Sequence, residues 1–301
     1  MSEDPTSIEA GIDAQTALVL VAHGSSTDAR AGDVAVECAE ALRRRGLFGE
    51  VRPAFWKQSP RVAAAVESIT LPRIVIVPLL ASEGYFSERQ IPQALGFRGE
   101  KDLDFGRVRR KGAQTLCYCR PVGTHPRIRE VIVASAREAV ALRPFPRAPR
   151  AAETALFVAA HGTEKHAQSR RAAEDHVQAI RDRGEYGEVH AVFLEEPPWI
   201  GACYGMTTLK NLVMVPLFIG EGSHVLEDLP VCLGESRERV RTRLASGRPG
   251  WPNPGERQGK RVWLASSVGS RPELLEVILE RVGEMSVQST SEPHWARWRM
   301  A

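Results

Sequence analysis

Three side chains in the second half of the chain are of types that handle a divalent metal: His161, Glu195 and His224. Each stands at or just beyond the end of an apolar run. His161-Gly162 follows residues 155–160, and Glu195 lies in Phe193-Leu194-Glu195-Glu196-Pro197. His224 ends Pro216-Leu217-Phe218-Ile219-Gly220-Glu221-Gly222-Ser223-His224. Two neutral imidazoles and a carboxylate bind Co2+, Ni2+, Fe2+ or Zn2+ while leaving coordination positions open. Open positions let an ion be passed on. A carboxylate beside the ion suits an acceptor that must lose protons as it takes the metal. Glu196 is adjacent and Glu221 and Glu227 are near, so which carboxylate is the base stays open at this point.

The elements that must position these residues are written twice. Thr16-Ala17-Leu18-Val19-Leu20-Val21-Ala22-His23-Gly24 returns as Thr154-Ala155-Leu156-Phe157-Val158-Ala159-Ala160-His161-Gly162, an offset of 138 residues (23 to 161). Arg45-Gly46, Gly49-Glu50-Val51, Phe55, Pro60, Val77-Pro78-Leu79, Glu83-Gly84 and Pro92 all recur at that offset. Val122-Gly123 then matches Val268-Gly269 at 146 (123 to 269), so the second copy has gained 8 residues, most simply within residues 247–260. Many matches in one register identify an internal duplication. It divides the chain into residues 1–142, a Pro- and Arg-rich linker at 143–153, a second copy at 154–284 and a tail at 285–301.

Within the second copy, strands are expected at residues 155–160, 188–194, 212–215 and 261–265. Helices are expected at 167–183, 199–206, 223–244 and 272–283. Apolar strands alternating with helices imply a parallel sheet covered on both faces. Each copy is therefore read as α/β: a four-stranded, doubly wound parallel sheet, the two copies related by pseudo-twofold symmetry. In such sheets ligands bind beyond the carboxyl ends of the strands. A flavodoxin-like order 2-1-3-4 makes the strands before His161, Glu195 and His224 neighbours, ~4.8 Å apart.

The first copy acts as an internal control. Its equivalents of His161, Glu195 and His224 are His23, Lys57 and Phe86. A cation and a hydrocarbon ring cannot serve a divalent metal, which places one working site in the second copy.

At these residues the chain resembles the CbiX/SirB-type sirohydrochlorin chelatases, class II tetrapyrrole chelatases that use no ATP. The resemblance lies in His161-Gly162-Thr163, in Phe193-Leu194-Glu195 with Pro198, in Gly222-Ser223-His224-Val225 running to Glu227-Asp228-Leu229-Pro230, and in Val268-Gly269 with Pro272. It covers roughly residues 16–142 and 154–284. It implies two tandem chelatase-like domains and insertion of Co2+, Fe2+ or Ni2+ into sirohydrochlorin or a related tetrapyrrole, with release of two protons. The metal is then the substrate, and no organic cofactor is implied. His161 and His224 are implied as metal-binding residues, and Glu195 as metal ligand or proton acceptor. Lys165, Arg170 and Arg171 are candidate contacts for the macrocycle's carboxylates. In two-copy members of the family the working histidines usually sit in the N-terminal copy; here the full set is in the C-terminal one.

The remaining features bound these readings. At 301 residues, with 43% hydrophobic and 26% charged side chains, the chain is too apolar for global disorder. A net charge of +3 does not call for nucleic acid, and suits a small anionic ligand. Residues 1–9 lack the order of a signal peptide, and no apolar run approaches the ~20 residues that span a bilayer, so a cytoplasmic protein without membrane contact is expected. A fused pair forms its own cleft, which makes a monomer the expectation and a dimer the alternative. Cys117 and Cys119 are expected in the core. Residues 247–260 are a candidate lid, and the tail with His294, Trp295, Arg297, Trp298 and Arg299 a candidate cover for a flat macrocycle. A non-catalytic metal or tetrapyrrole carrier is the alternative function. A hydrolase is disfavoured because no Gly-x-Ser-x-Gly elbow or phosphate-binding glycine loop is present.

Overall fold

A computed structural model describes residues 12–25, 29–102, 104–163 and 167–290. The first copy runs β1 (Thr16–Ala22), α1 (Asp33–Arg45), β2 (Glu50–Phe55), α2 (Val62–Glu67), β3 (Arg73–Pro78), α3 (Ile91–Ala94), β4 (Val108–Lys111), β5 (Gln114–Tyr118) and α4 (Ile128–Leu142). The second runs β6 (Thr154–Ala160), α5 (Ala167–Arg181), β7 (Glu188–Phe193), α6 (Cys203–Met206), β8 (Asn211–Pro216) and α7 (Leu229–Cys232). It closes with α8 (Arg237–Ala245), β9 (Gly255–Arg257), β10 (Lys260–Leu264) and α9 (Leu274–Thr290).

Each copy forms a five-stranded sheet, ordered β2-β1-β3-β5-β4 and β7-β6-β8-β10-β9. Four strands are parallel in the expected order, and they stand where the repeat places them. The expectation of four strands falls short by one in each copy. A short antiparallel edge strand, β4 or β9, pairs with its neighbour through a tight turn. Val108–Lys111 is largely exposed and basic, so it carries no apolar run that would mark it as a strand.

β1 and β6 are buried along their whole length, as central parallel strands must be. Their alternation divides the core. Leu18 and Leu20, with Leu156 and Val158, face one shared cluster, whereas Val19 and Val21 face an outer cluster of the first copy and Phe157 an outer cluster of the second. Each such side chain contributes roughly 1.5–3 kcal/mol by burial. The shared cluster draws on α1, α4, α5 and α9 together, so one helical layer lies between the two sheets.

That layer is built by exchange. The last helix of the first copy, α4, packs on β8 and β10 of the second, and α9 of the second packs on β3 of the first. Buried Arg281 of α9 donates to the Pro121 carbonyl (3.0 Å) and to Thr124 Oγ1 (2.9 Å). His176 Nε2 meets the Gly123 carbonyl at 2.8 Å, and Trp263 Nε1 donates to the Arg143 carbonyl in the linker at 2.9 Å. The two halves of the duplication are thus covalently consecutive but structurally interlocked.

Two further expectations change. The helix expected over residues 223–244 is broken: a π-helical turn at His224–Asp228 leads into α7, which stops at Gly234 (φ +101°). α8 then starts afresh, with Ser236 Oγ accepting from the Arg239 backbone N–H. The inserted residues make this helix rather than a loop at 247–260, since the first copy crosses the same interval in residues 97–107 with no helix among its described residues. The lid assignment for 247–260 also fails. Trp251 is fully buried and its Nε1 donates to the Val262 carbonyl (2.9 Å), and residues 255–257 are strand β9, which fastens the segment into the outer core. Cys117 and Cys119 are fully buried, and no described cysteine is in a disulfide. α9 continues to Thr290, and the aromatic and basic tail residues lie outside the described ones. Among the described residues no helix is long and apolar enough to cross a membrane.

Candidate metal cleft between the two copies

The strand ends place the three side chains as the repeat requires. His161 leaves the end of β6, and Gly162 turns the chain at φ +69°. A Cβ there would sit 2.8 Å from both Phe193 Cβ and Glu196 Cγ, so the turn demands glycine. The His161 carbonyl accepts from the backbone N–H groups of Leu194 (3.1 Å) and Glu195 (3.0 Å). This ties the exit of β7 to the exit of β6 and brings Glu195 Oε2 to 3.6 Å from His161 Nδ1. His224 enters on the π-helical turn after β8, its ring edge-to-face with His161 at a centroid distance of 5.2 Å.

The hydrogen bonds select tautomers. A carbonyl oxygen only accepts, so the 2.9 Å contact of His161 Nδ1 with the Gly162 carbonyl puts a proton on Nδ1. His224 Nδ1 lies 2.9 Å from Asp228 Oδ2, and an ionised carboxylate likewise only accepts. In the neutral form of each ring, Nε2 is then the nitrogen with the free lone pair. Their side chains, with that of Glu195, remain 41–55% exposed, open to an incoming ligand. Among the described residues no three His, Cys, Asp or Glu groups are already gathered as a metal cage.

The competing carboxylates are committed elsewhere. Glu196 is buried; its Oε1 accepts from the Thr163 N–H (3.0 Å) and its Oε2 from the Arg170 guanidinium (3.0 and 3.1 Å). Glu221 accepts from the backbone and hydroxyl of Ser267. Glu227 pairs with Arg241 at 3.2 Å. Glu195 is the one of the four whose ionic neighbour is a candidate metal-binding histidine.

The candidate substrate contacts part company. Arg170 lies over the Phe193 ring (4.5 Å) and is bound to Glu196, Glu174 and the Pro197 carbonyl, so the fold uses its guanidinium as a clamp behind the site. Arg171 lines a separate cavity of about 880 Å³ between the copies, with Arg120 from the first copy. Lys165 lies outside the described residues.

The first copy faces the same space. A cavity of about 690 Å³ has His161, Glu195 and His224 on one side, and on the other His23 and residues 80–87 of the first copy. A smaller one of about 290 Å³ adjoins it, again lined by His23, His161 and His224. Phe86, at the position equivalent to His224, packs its ring against His23 (4.4 Å, edge-to-face) and near Tyr85 (5.9 Å) and Trp56 (6.3 Å). Burial, reinforced by Lys57, lowers the His23 pKa. The first copy thus turns an aromatic wall with a neutral imidazole toward the metal-type groups of the second. Sequence reasoning missed Tyr85 and Asp228. Asp228 had a signal, since it follows His224 by one helical turn; Tyr85 had none, because only the fold brings it across the cleft.

Comparison with known proteins gives the family and the fold. The model of the CbiX family matches the chain twice, at residues 17–139 and 155–285. A probable sirohydrochlorin cobaltochelatase of Halobacterium salinarum is 33% identical over 278 residues, covering 89% of this chain and 91% of that one. Among solved structures, a multi-domain protein of Deinococcus radiodurans, described as similar to chelatases with two additional novel domains, superposes with a TM-score of 0.70 at 27% identity. The match covers 89% of this chain but only 54% of that larger protein. SirB from Bacillus subtilis with Fe3+ shares the fold, with a TM-score of 0.65 at 17% identity, covering 91% of this chain and 96% of that one.

Proposed function

Because the chain belongs to the CbiX family, in both of its halves, we propose that it is a chelatase inserting a divalent metal, Co2+ first with Fe2+ and Ni2+ as rivals, into sirohydrochlorin or a closely related tetrapyrrole polycarboxylate. The observation that carries this reading is the two-sided cavity. Imidazoles and a carboxylate on one wall face an aromatic surface, Tyr85 and Phe86, on the other. A flat π-system lies against such a surface with its central nitrogens turned toward the histidines.

His161 and His224 offer their Nε2 lone pairs to the arriving ion, and the open positions accept the macrocycle nitrogens. As two metal–nitrogen bonds form at the pyrrolic N–H groups, two protons leave. Glu195 takes one and passes it to solvent, since it is half-exposed, and the second follows the same way. No ATP is needed, because metal–nitrogen bond formation drives the exchange. In this reading Arg120 and Arg171, which line the neighbouring cavity together with Glu83, Asp175 and Glu284, are the candidate contacts for the macrocycle's peripheral carboxylates.

The test is an absorbance assay of the purified chain with metal-free sirohydrochlorin and each metal separately. Multiple turnovers faster than the spontaneous reaction are expected for at least one metal. Stoichiometric binding of metal or tetrapyrrole without acceleration would instead identify a carrier.

A further inference from the structure

The second copy differs from the first by a helix as well as by His224, and that helix reaches the site. α8 begins with Arg237, whose Nη2 lies 3.1 Å from Asp228 Oδ1, while Asp228 Oδ2 holds His224 Nδ1 at 2.9 Å. Arg237 Nη1 also approaches Glu227 (3.7 Å), and Arg241, one turn further along α8, donates to Glu227 at 3.2 Å. Asp228 is thus gripped on both oxygens, and the π-helical turn bearing His224 is fastened to α8 at two successive acidic residues. We propose that α8 is a positioning clamp for the metal site: through Asp228, Arg237 fixes the ring orientation and tautomer of His224. It rests on reading His224 as a metal-binding residue.

The duplication supplies the argument. The first copy has Phe86 at the position of His224, Gln90 at that of Asp228, and no helix among the described residues between Leu95 and β4. Gln90 there donates to the Tyr85 hydroxyl, a local contact with no charge in it. Histidine, carboxylate and helix are present together in one copy and absent together in the other, although both copies keep the same π-helical turn. If α8 served only the outer core, nothing would tie its arginines to the acidic residues beside the histidine. An exposed ion pair adds little to stability. Its consequence here is angular, because a carboxylate free to rotate no longer dictates which ring nitrogen of His224 carries the proton.

The test uses the full chain and the variants Arg237→Ala and Arg237→Lys, with circular dichroism as a check on folding. The first readout needs no metal: a long-range 1H–15N correlation spectrum reports the tautomer of His224. We expect the Nδ1–H form in the parent, a mixture of tautomers in Arg237→Ala, and return toward the parent in Arg237→Lys, which keeps the charge. The second readout is Co2+ titration followed in the visible absorption spectrum. Arg237→Ala should weaken Co2+ binding roughly ten-fold, the lower end of outer-shell effects, and alter the band shape. An unchanged His224 tautomer in Arg237→Ala overturns the clamp. A changed tautomer in a chain that binds no Co2+ overturns the metal-site reading and leaves the clamp standing.

Discussion

The two copies share a backbone and divide the chemistry. In both, a fully buried first strand ends in His-Gly, with Gly24 and Gly162 at φ +66° and +69°. In both, the residue at the head of a π-helical turn reaches the histidine ring, Phe86 to His23 at 4.4 Å and His224 to His161 at 5.2 Å. The same scaffold therefore delivers the same three positions, and side-chain identity alone decides what stands there. Even the support beneath the turn follows this rule. Gln58 accepts from the Ser25 N–H as Glu196 does from Thr163, but Glu196 is charged and answered by Arg170, where the first copy has Gly32. One copy keeps carboxylates with their partners; the other has an aromatic ring, an amide and a cation, Phe86, Gln58 and Lys57, in the matching places. The interlocked helices α4 and α9 then hold these unlike faces across a single cleft.

The sharpest break of that comparison is to remove a histidine from each side. His161→Ala and His224→Ala should each abolish metal insertion, with a loss of roughly 1000-fold or more, since direct metal–ligand contacts contribute several kcal/mol. His23→Ala, at the matching position of the aromatic side, should lose less than ~10-fold, because its ring packs against Phe86 and coordinates nothing in this scheme. Steady-state rates with Co2+ separate the two cases. Equal losses at His23 and His161 would mean that the copies share the metal work.

Much of this division was legible in the sequence. The offset repeat displayed the strand ends, the parallel order and the contrast of His23, Lys57 and Phe86 with His161, Glu195 and His224, because buried strands and glycine turns leave strong local marks. What was not legible depends on tertiary contact. The edge strands carry no apolar pattern, as Val108–Lys111 shows. The exchange of α4 and α9 leaves no trace, since a helix has the same apolar stripe whichever sheet it covers. Arg170 looked like a substrate contact beside His161, but Glu196, distant in sequence, engages it. Residues 247–260 looked like a lid through their glycines and prolines, whereas Trp251 within them is one of the largest buried side chains of the protein.

That tryptophan gives the next test, on the outer cores of the two copies. Trp251→Ala should lower unfolding free energy by about 3–5 kcal/mol, the usual cost of emptying a large aromatic site, and it also removes the indole hydrogen bond to the Val262 carbonyl. Its counterpart at the 146-residue offset is Phe105, partly buried beside Phe97 and Tyr118. Phe105→Ala should cost roughly half as much, since a partly exposed ring forfeits less buried area. Denaturant melts of both variants decide the matter, and equal losses would refute the idea that the second copy's extra segment is an anchored part of its core.

A smaller effect is expected where the aromatic wall meets the substrate. Tyr85 corresponds to Ser223 in the second copy, so Tyr85→Ser gives one copy the other's residue. Loss of one stacking face should raise KM roughly 2- to 10-fold with kcat near the parent value, in line with ~0.5–1.5 kcal/mol per aromatic pair. Co2+ binding without tetrapyrrole should not change. If kcat falls while KM holds, Tyr85 acts in the chemistry and the proposed division of labour is wrong.

The smallest expected effect lies at the interlock itself. His176 on α5 corresponds to Cys38 on α1, and both are buried. Burial, with Arg129 adding to it, holds the His176 pKa below its ordinary value of 6.5 against the pull of the Gly123 carbonyl, Asp175 and Glu130. In the unfolded chain the same imidazole takes up its proton near ~6.5. As pH falls through that value the unfolded state therefore binds more protons, and stability drops until the lower folded pKa is passed. Above ~7 both states are neutral and this penalty vanishes. His176→Cys installs the first copy's residue and cannot charge in this range, because burial pushes such a thiol up, as at Cys38, where it reaches about 12. The variant should lose about 1 kcal/mol at pH 7.5 through the missing hydrogen bond to Gly123. That deficit should shrink or reverse at pH 5.5. Urea melts of parent and variant at the two pH values measure it. A deficit that stays constant would show that His176 is held by its hydrogen bond without a charging penalty, so that α1 and α5 differ in packing alone.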